Sequence, residues 1–152
     1  LMSKSPQAGA GARTRARELM VQALYQKQIA GHSTSELVAQ YQADTAYGRV
    51  DQEFFDELFP AISNGQGEIE KKIDELIDRP LEQLDPIELS ILLIGVHELE
   101  ARVDIPYKVV INEGVNLAKR FGSTDGHKYI NACLDLAAQS LRKIEVQAST
   151  GG

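Results

Sequence analysis

Three arginines, Arg13, Arg15 and Arg17, open the segment ARTRARELMVQALYQ, whose apolar residues recur at helical spacing. Arg13 and Arg17 lie one helical turn apart and share a face, while Arg15 points elsewhere around the same terminus. Cations at a helix N-terminus oppose the macrodipole, at a cost of roughly 0.3–1 kcal/mol. Placement against the dipole argues for a binding role, and guanidinium groups suit phosphate. A second basic segment, AKRFGSTDGHKYIN, sets Lys119 and Arg120 before a turn and Lys128 and Tyr129 after it. A lysine beside a tyrosine at a helix start offers charge for a phosphate, outward-facing amides and an aromatic face for a base. Such stacking contributes about 1–3 kcal/mol per base in single-stranded complexes. Ser123 and Asp125 add groups able to read base edges, and Tyr25, two turns after Arg17, is a second aromatic candidate. Each cluster alone is a weak signal, because many surface helices carry as much charge.

The residues that could perform catalysis are poorly arranged for it. His32, His97 and His127 have no ligand-type partner at a spacing that completes a metal site. His97 reads as an interior or interface residue. Cys133 falls near an apolar stripe with no histidine placed locally to activate it, so it reads as a small buried hydrophobe. The pairs Glu68/Glu70 and Glu98/Glu100 are two apart and diverge around a helix, so neither makes an acid–base dyad. The GAGA run lacks the strand, helix and lysine of a phosphate-cradling loop. No enzyme activity, metal or cofactor is expected.

Charge is segregated along the chain. The total is −6, but residues 1–30 carry +4, residues 31–100 carry −12 and residues 101–152 carry +2. Basic ends around an acidic middle suggest two partners of opposite sign. The plain alternative, a solubilising acidic face, has equal weight on this pattern alone. One cysteine in 152 residues excludes an internal disulfide framework and suits a cytoplasmic protein. The longest apolar run, ILLIGV, is too short to span a membrane. The N-terminus lacks the apolar core of a signal peptide.

The elements that must hold these groups all read as helices. Ala16, Met20, Ala23 and Leu24 form one stripe, and a short helix follows the turn GHST over about Ser35 to Tyr41. Phe54, Phe55, Leu58, Phe59 and Ile62 form the next, then Ile69, Ile73, Leu76 and Ile77. Val110, Ile111, Val115 and Ala118 follow, and Ile130, Leu134, Ala137, Leu141 and Ile144 close the series. Asp85-Pro86-Ile87-Glu88 has the residues of a helix start with a capping box, and Pro106 and Gly122 bracket another helix. The helix from Ile87 to about Arg102 is apolar almost all round, as a buried axis would be. Gly95 within it costs about 1 kcal/mol relative to alanine, which predicts a neighbouring backbone close by. The chain is expected to be all-α, with about seven helices in one domain over 13–146 and disordered tails at 1–12 and 147–152.

Val103 to Ala138, VDIPYKVVINEGVNLAKRFGSTDGHKYINACLDLAA, closely resembles the NusB family of bacterial transcription antitermination factors, and ARTRARELMVQALYQ matches it too. The resemblance extends from about Arg13 to Ile144, by helix pattern more than identity over roughly 31–80. It implies two packed helical subdomains and binding of the single-stranded boxA element in nascent ribosomal RNA. That binding is joint with NusE, a small-subunit ribosomal protein, on RNA polymerase with NusA and NusG. By position, the implied RNA face comprises Arg13, Arg15, Arg17, Tyr25, Asp125, Lys128 and Tyr129. The implied NusE face includes Glu82 and Glu88, within the acidic stretch that suits a basic protein. Thr14 stands where relatives often carry another arginine, and Tyr129 where phenylalanine is common. The family implies a monomer or a homodimer.

A similar helical domain forms the RNA-binding front end of some ribosomal RNA methyltransferases, which is the competing reading. The absence of a cofactor-binding unit after the last helix favours the antitermination reading.

Overall fold

The computed structural model describes residues 4–150, with side chains from 11 to 149. Every regular element among them is helical, and the chain forms two compact units that meet in sequence at Gly65/Gln66. The first holds α1 (Lys4–Ala30), α2 (Thr34–Gln42), a 3-10 turn (Thr45–Arg49) and α3 (Gln52–Asn64). The second holds α4 (Gln66–Asp74), a 3-10 turn (Leu81–Gln83), α5 (Pro86–Ala101), α6 (Tyr107–Phe121), α7 (Gly126–Leu141) and α8 (Lys143–Thr150). The domain expected over 13–146 spans parts of both units. Helix also runs past both of those limits into the expected tails; residues 1–3 and 151–152 lie outside the described residues.

In the first unit α1 buries Ala16, Leu19, Met20, Ala23 and Leu24, one face at i, i+3, i+4 spacing. It packs against α3, whose Phe54, Phe55, Leu58, Phe59 and Ile62 are all buried. Phe55 and Phe59 stack with ring centres 5.5 Å apart. Asp51 starts α3 by accepting from the Phe54 amide at 3.1 Å. Ser33 and Glu36 start α2 with a reciprocal capping box.

In the second unit α5 is the buried axis that its composition predicts, with Leu89 to Val96 enclosed by α4, α6 and α7. Asp85 accepts from the Ile87 amide at 2.7 Å, and Pro86 occupies the first turn. The close neighbour of Gly95 is a side chain rather than the expected backbone. Leu134 of α7 stands in the notch left by Gly95 and Gly114, and a Cβ built on them would lie 2.7 and 2.6 Å from it. Two glycines on adjacent helices therefore make one hole for one leucine.

Two expected stripes end early. The helix through Ile69 and Ile73 closes at Asp74, because the amides of Glu75 and Leu76 bond back three residues and tighten the last turn. Leu76 and Ile77 lie beyond it. At the other end α7 stops at Leu141, and Ile144 is 83% exposed rather than in the core. The break falls at Arg142, whose buried guanidinium turns to the C-terminus of α5. It donates to the carbonyls of Leu99 at 2.6 Å, Arg102 at 2.8 Å and Glu98 at 3.2 Å. The Glu98 and Arg102 carbonyls also accept from the Arg102 and Ile105 amides, so the guanidinium adds a second donor there and supplies the Leu99 carbonyl near the helix end with one.

Candidate nucleic-acid interface

Within the first unit the three arginines of α1 have different surroundings. Arg13 is exposed, its Nε 3.3 Å from Asp51 Oδ2, with its guanidinium carbon 4.9 Å from the Phe54 ring centre. Arg15 is exposed and donates from Nε to the Arg49 carbonyl at 2.8 Å, tying the 3-10 turn to α1. Its Nη1 lies over Gly11, whose φ of +89° suits glycine and where a Cβ would sit 3.0 Å from that nitrogen. Arg17, expected at the surface beside Arg13, is instead 3% exposed and also 4.9 Å from the Phe54 ring centre. One helical turn thus brings two cations to one aromatic ring, the outer in reach of a ligand and the inner held in the core. Tyr25 is 39% exposed further along α1.

Within the second unit the loop after α6 ends in a tight approach to α7. The Gly126 amide donates to the Ser123 carbonyl, and the Lys128 amide to that of Asp125. The Asp125 and Lys128 side chains are both exposed and 3.7 Å apart, an ion pair worth at most a few tenths of a kcal/mol in water. Lys128 is therefore available to a phosphate at little cost.

Tyr129 is only half-buried, yet its hydroxyl is shielded from solvent and without a hydrogen-bond partner. Burial first, then the neighbouring Cys133, pushes that phenol up to about 12. One face of the ring is taken by Arg79, whose guanidinium carbon stands 4.4 Å from the ring centre. Burial also raises the Cys133 thiol, as suits the inert packing residue expected there.

Glu82 is exposed on the 3-10 turn before α5. Glu88 is half-buried in the first turn of α5, and its Oε2 would lie 2.9 Å from a Cβ built at Gly126. Burial, then the Asp85 charge, raises the Glu88 carboxyl, and Arg79 pulls it back. Glu88 is thus less a surface charge than its position in the acidic stretch suggests. It borders the turn that carries Asp125 and Lys128. Sequence reasoning missed Arg79, Asp51 and Arg142. Arg79 precedes Tyr129 by fifty residues, and no local pattern links them. Among the described residues no group of three histidines, cysteines or carboxylates is placed to hold a metal ion, and no helix is long and apolar enough to cross a membrane.

A sequence model of the NusB family matches residues 14–139. The chain belongs to the NusB family. It is 46% identical over 149 residues to the transcription antitermination protein NusB of Pseudomonas syringae pv. tomato, covering 96% of this chain and 90% of the relative. It is 42% identical over 144 residues to the NusB of Marinobacter nauticus, covering 95% and 91%. Among solved structures, the NusB of T. maritima superposes with a TM-score of 0.69 at 26% identity, over 89% of this chain and 96% of that one. The region matched by the NusB model starts one residue after Arg13 and ends before Arg142. The first arginine and the clamp on α5 thus lie outside it. The alignments cover about nine-tenths of these NusB relatives.

Proposed function

We propose that the protein is a transcription antitermination factor, without enzymatic activity, that works in the cytoplasm. It binds the single-stranded boxA element of nascent ribosomal RNA leaders together with NusE. The pair joins RNA polymerase with NusA and NusG. The observation that carries this reading is the exposure of Arg13 and Arg15 on α1, more than two turns inside the helix rather than at its expected start, and of Lys128 in the first turn of α7, in a protein of net charge −6. A surface cation kept at the positive end of a helix, as Lys128 is, favours an anionic ligand.

In this mechanism Arg13, Arg15 and Lys128 neutralise phosphates, and Arg17 holds the Phe54 shelf beneath Arg13. Tyr25 and Tyr129 supply aromatic surface and Asp125 accepts from a base edge. Glu82 and Glu88 belong to the face that takes the basic ribosomal protein. Docked NusE lengthens the RNA path and so raises affinity and selectivity together.

The test is an anisotropy titration of a boxA RNA with and without NusE at two salt concentrations. Tighter binding with NusE, and affinity falling as salt rises, is the expected result. No binding at low salt with NusE present overturns the reading.

A further inference from the structure

We propose that Arg79 is a further RNA-contacting residue, and that its guanidinium, layered on Tyr129, is the platform on which a nucleobase stacks. The proposal rests on the RNA-binding reading above and deepens it.

Tyr129 has the aromatic face that a base would use, but its surroundings limit it. The hydroxyl is turned into the protein and one ring face is covered by Arg79. A base that approaches this covered face meets the guanidinium first. At 4.4 Å from the ring centre, the guanidinium carbon is well within cation–π range of the ring. A guanidinium backed by an aromatic ring keeps its outer plane open, and such planes stack on bases as aromatic side chains do.

The rest of the side chain is placed for the same task. Its Nε is 3.2 Å from Asp78 Oδ1, which fixes one edge, and the side chain is 42% exposed. No hydrogen bond engages the terminal nitrogens among the described residues, so they can reach a phosphate or base edge. Arg79 lies between α4 and the Leu81–Gln83 turn, outside any helix. Its backbone can therefore adjust without unwinding an element. It is also one of only four cations in residues 31–100, a stretch with 16 carboxylates. A surface cation within that stretch, stacked on the tyrosine that follows Lys128, extends the basic segment where the acidic region would otherwise end it.

The experiment uses the full chain and a single-stranded boxA RNA carrying 2-aminopurine at successive positions, whose fluorescence reports stacking. The wild-type protein should quench the probe at one position. Arg79→Ala should weaken binding about five- to tenfold and abolish that quench, with an unchanged thermal melt. Arg79→Lys keeps the charge without the plane, so it should retain the salt dependence and still lose the quench. Either variant binding as tightly as wild type with the quench intact, or binding more tightly, overturns the proposal and makes Arg79 a mere cover over Tyr129. Loss of the platform alone leaves wild-type RNA binding in place. Failure of the underlying reading instead shows as a wild-type protein that binds no RNA.

Discussion

Arg13 and Asp51 meet at 3.3 Å, and Asp51 is also the residue that starts α3 by accepting from the Phe54 amide. The exposed Arg13, a phosphate contact in the proposed RNA-binding reading, is therefore paired with a helix cap. Because Arg13 is 46% exposed, the pair adds little to stability. A phosphate has only to displace a weak partner. Asp51→Asn keeps a capping oxygen and removes the competing charge. It should hold stability within about 0.5 kcal/mol and tighten RNA binding about two- to fivefold. Asp51→Ala should cost about 1 kcal/mol through loss of the cap. Urea melts and RNA titrations on both variants separate the two effects.

The same helix sorts its arginines by depth. Arg13→Ala and Arg15→Ala should each weaken RNA binding and lower the slope of log affinity against log salt by about 0.7, the value per phosphate contact on a single strand. Stability should change by no more than about 0.5 kcal/mol at Arg13, and by about 0.5–1.5 kcal/mol at Arg15, whose bond to the Arg49 carbonyl is lost. Arg17→Ala should do the reverse, costing about 1–3 kcal/mol of stability because the buried guanidinium packs on Phe54. If Arg17→Met restores stability and leaves the salt slope unchanged, Arg17 acts from beneath the surface.

The fold was legible wherever one-dimensional periodicity decided it. The buried faces of α1, α3 and α5 follow from apolar spacing, and Asp85-Pro86 announced a helix start. What was not legible depends on residues far apart in sequence. Helical spacing alone would carry α7 on to Ile144; only the carbonyls of α5, some forty residues upstream, explain why Arg142 turns inward. Gly95 announced close packing but not its partner. The basic segments announced charge, but spacing could not tell that Arg17 is buried while Arg13 is not, nor that Arg79 covers Tyr129.

Glu82 and Glu88 should respond differently to charge reversal. Glu82→Lys, at an exposed site, should weaken NusE association at least fivefold with the melting midpoint unchanged. Glu88→Lys places an ammonium at a half-buried position beside Gly126, so it should lower stability by about 1–3 kcal/mol as well. Calorimetric titration with NusE and circular dichroism melts distinguish the two. Equal loss of stability in both variants would count against the assignment of Glu82 to a surface.

Gly95 and Leu134 form a testable pair. Gly95→Ala gains about 1 kcal/mol of helix propensity, but its methyl would fall 2.7 Å from Leu134 Cδ2. Overpacking costs about 1–3 kcal/mol, so the net change should be destabilising. Leu134→Ala alone should cost about 2–5 kcal/mol. Once Leu134 is shortened, Gly95→Ala should become neutral or stabilising. A double-mutant cycle by chemical denaturation measures that change of sign, and strict additivity would rule out the shared notch.

Glu145 makes the fold of the second unit sensitive to acid. Its Oε2 accepts from the Tyr107 amide at 2.9 Å, at the start of α6, and its Oε1 meets Arg142 Nη1 at 2.7 Å. The backbone hydrogen bond first, then Arg142, holds this carboxyl below its ordinary value. A carboxyl with a lowered pKa in the folded state stabilises the fold fully above its unfolded value of about 4.3. That contribution is lost as pH falls through the lowered folded value. Since the side chain is 37% exposed, the loss is discounted to about 1 kcal/mol. Glu145→Gln should therefore be less stable than wild type by about that amount at pH 7, and the gap should close progressively below about pH 4.3. Arg142→Ala should cost more, about 2–3 kcal/mol, since it also removes the donor to the buried Leu99 carbonyl and a second donor to those of Glu98 and Arg102. Urea unfolding from pH 7 to pH 3 reads both, and a gap between wild type and Glu145→Gln that persists unchanged at pH 3 would exclude the carboxylate as the acid-sensitive element.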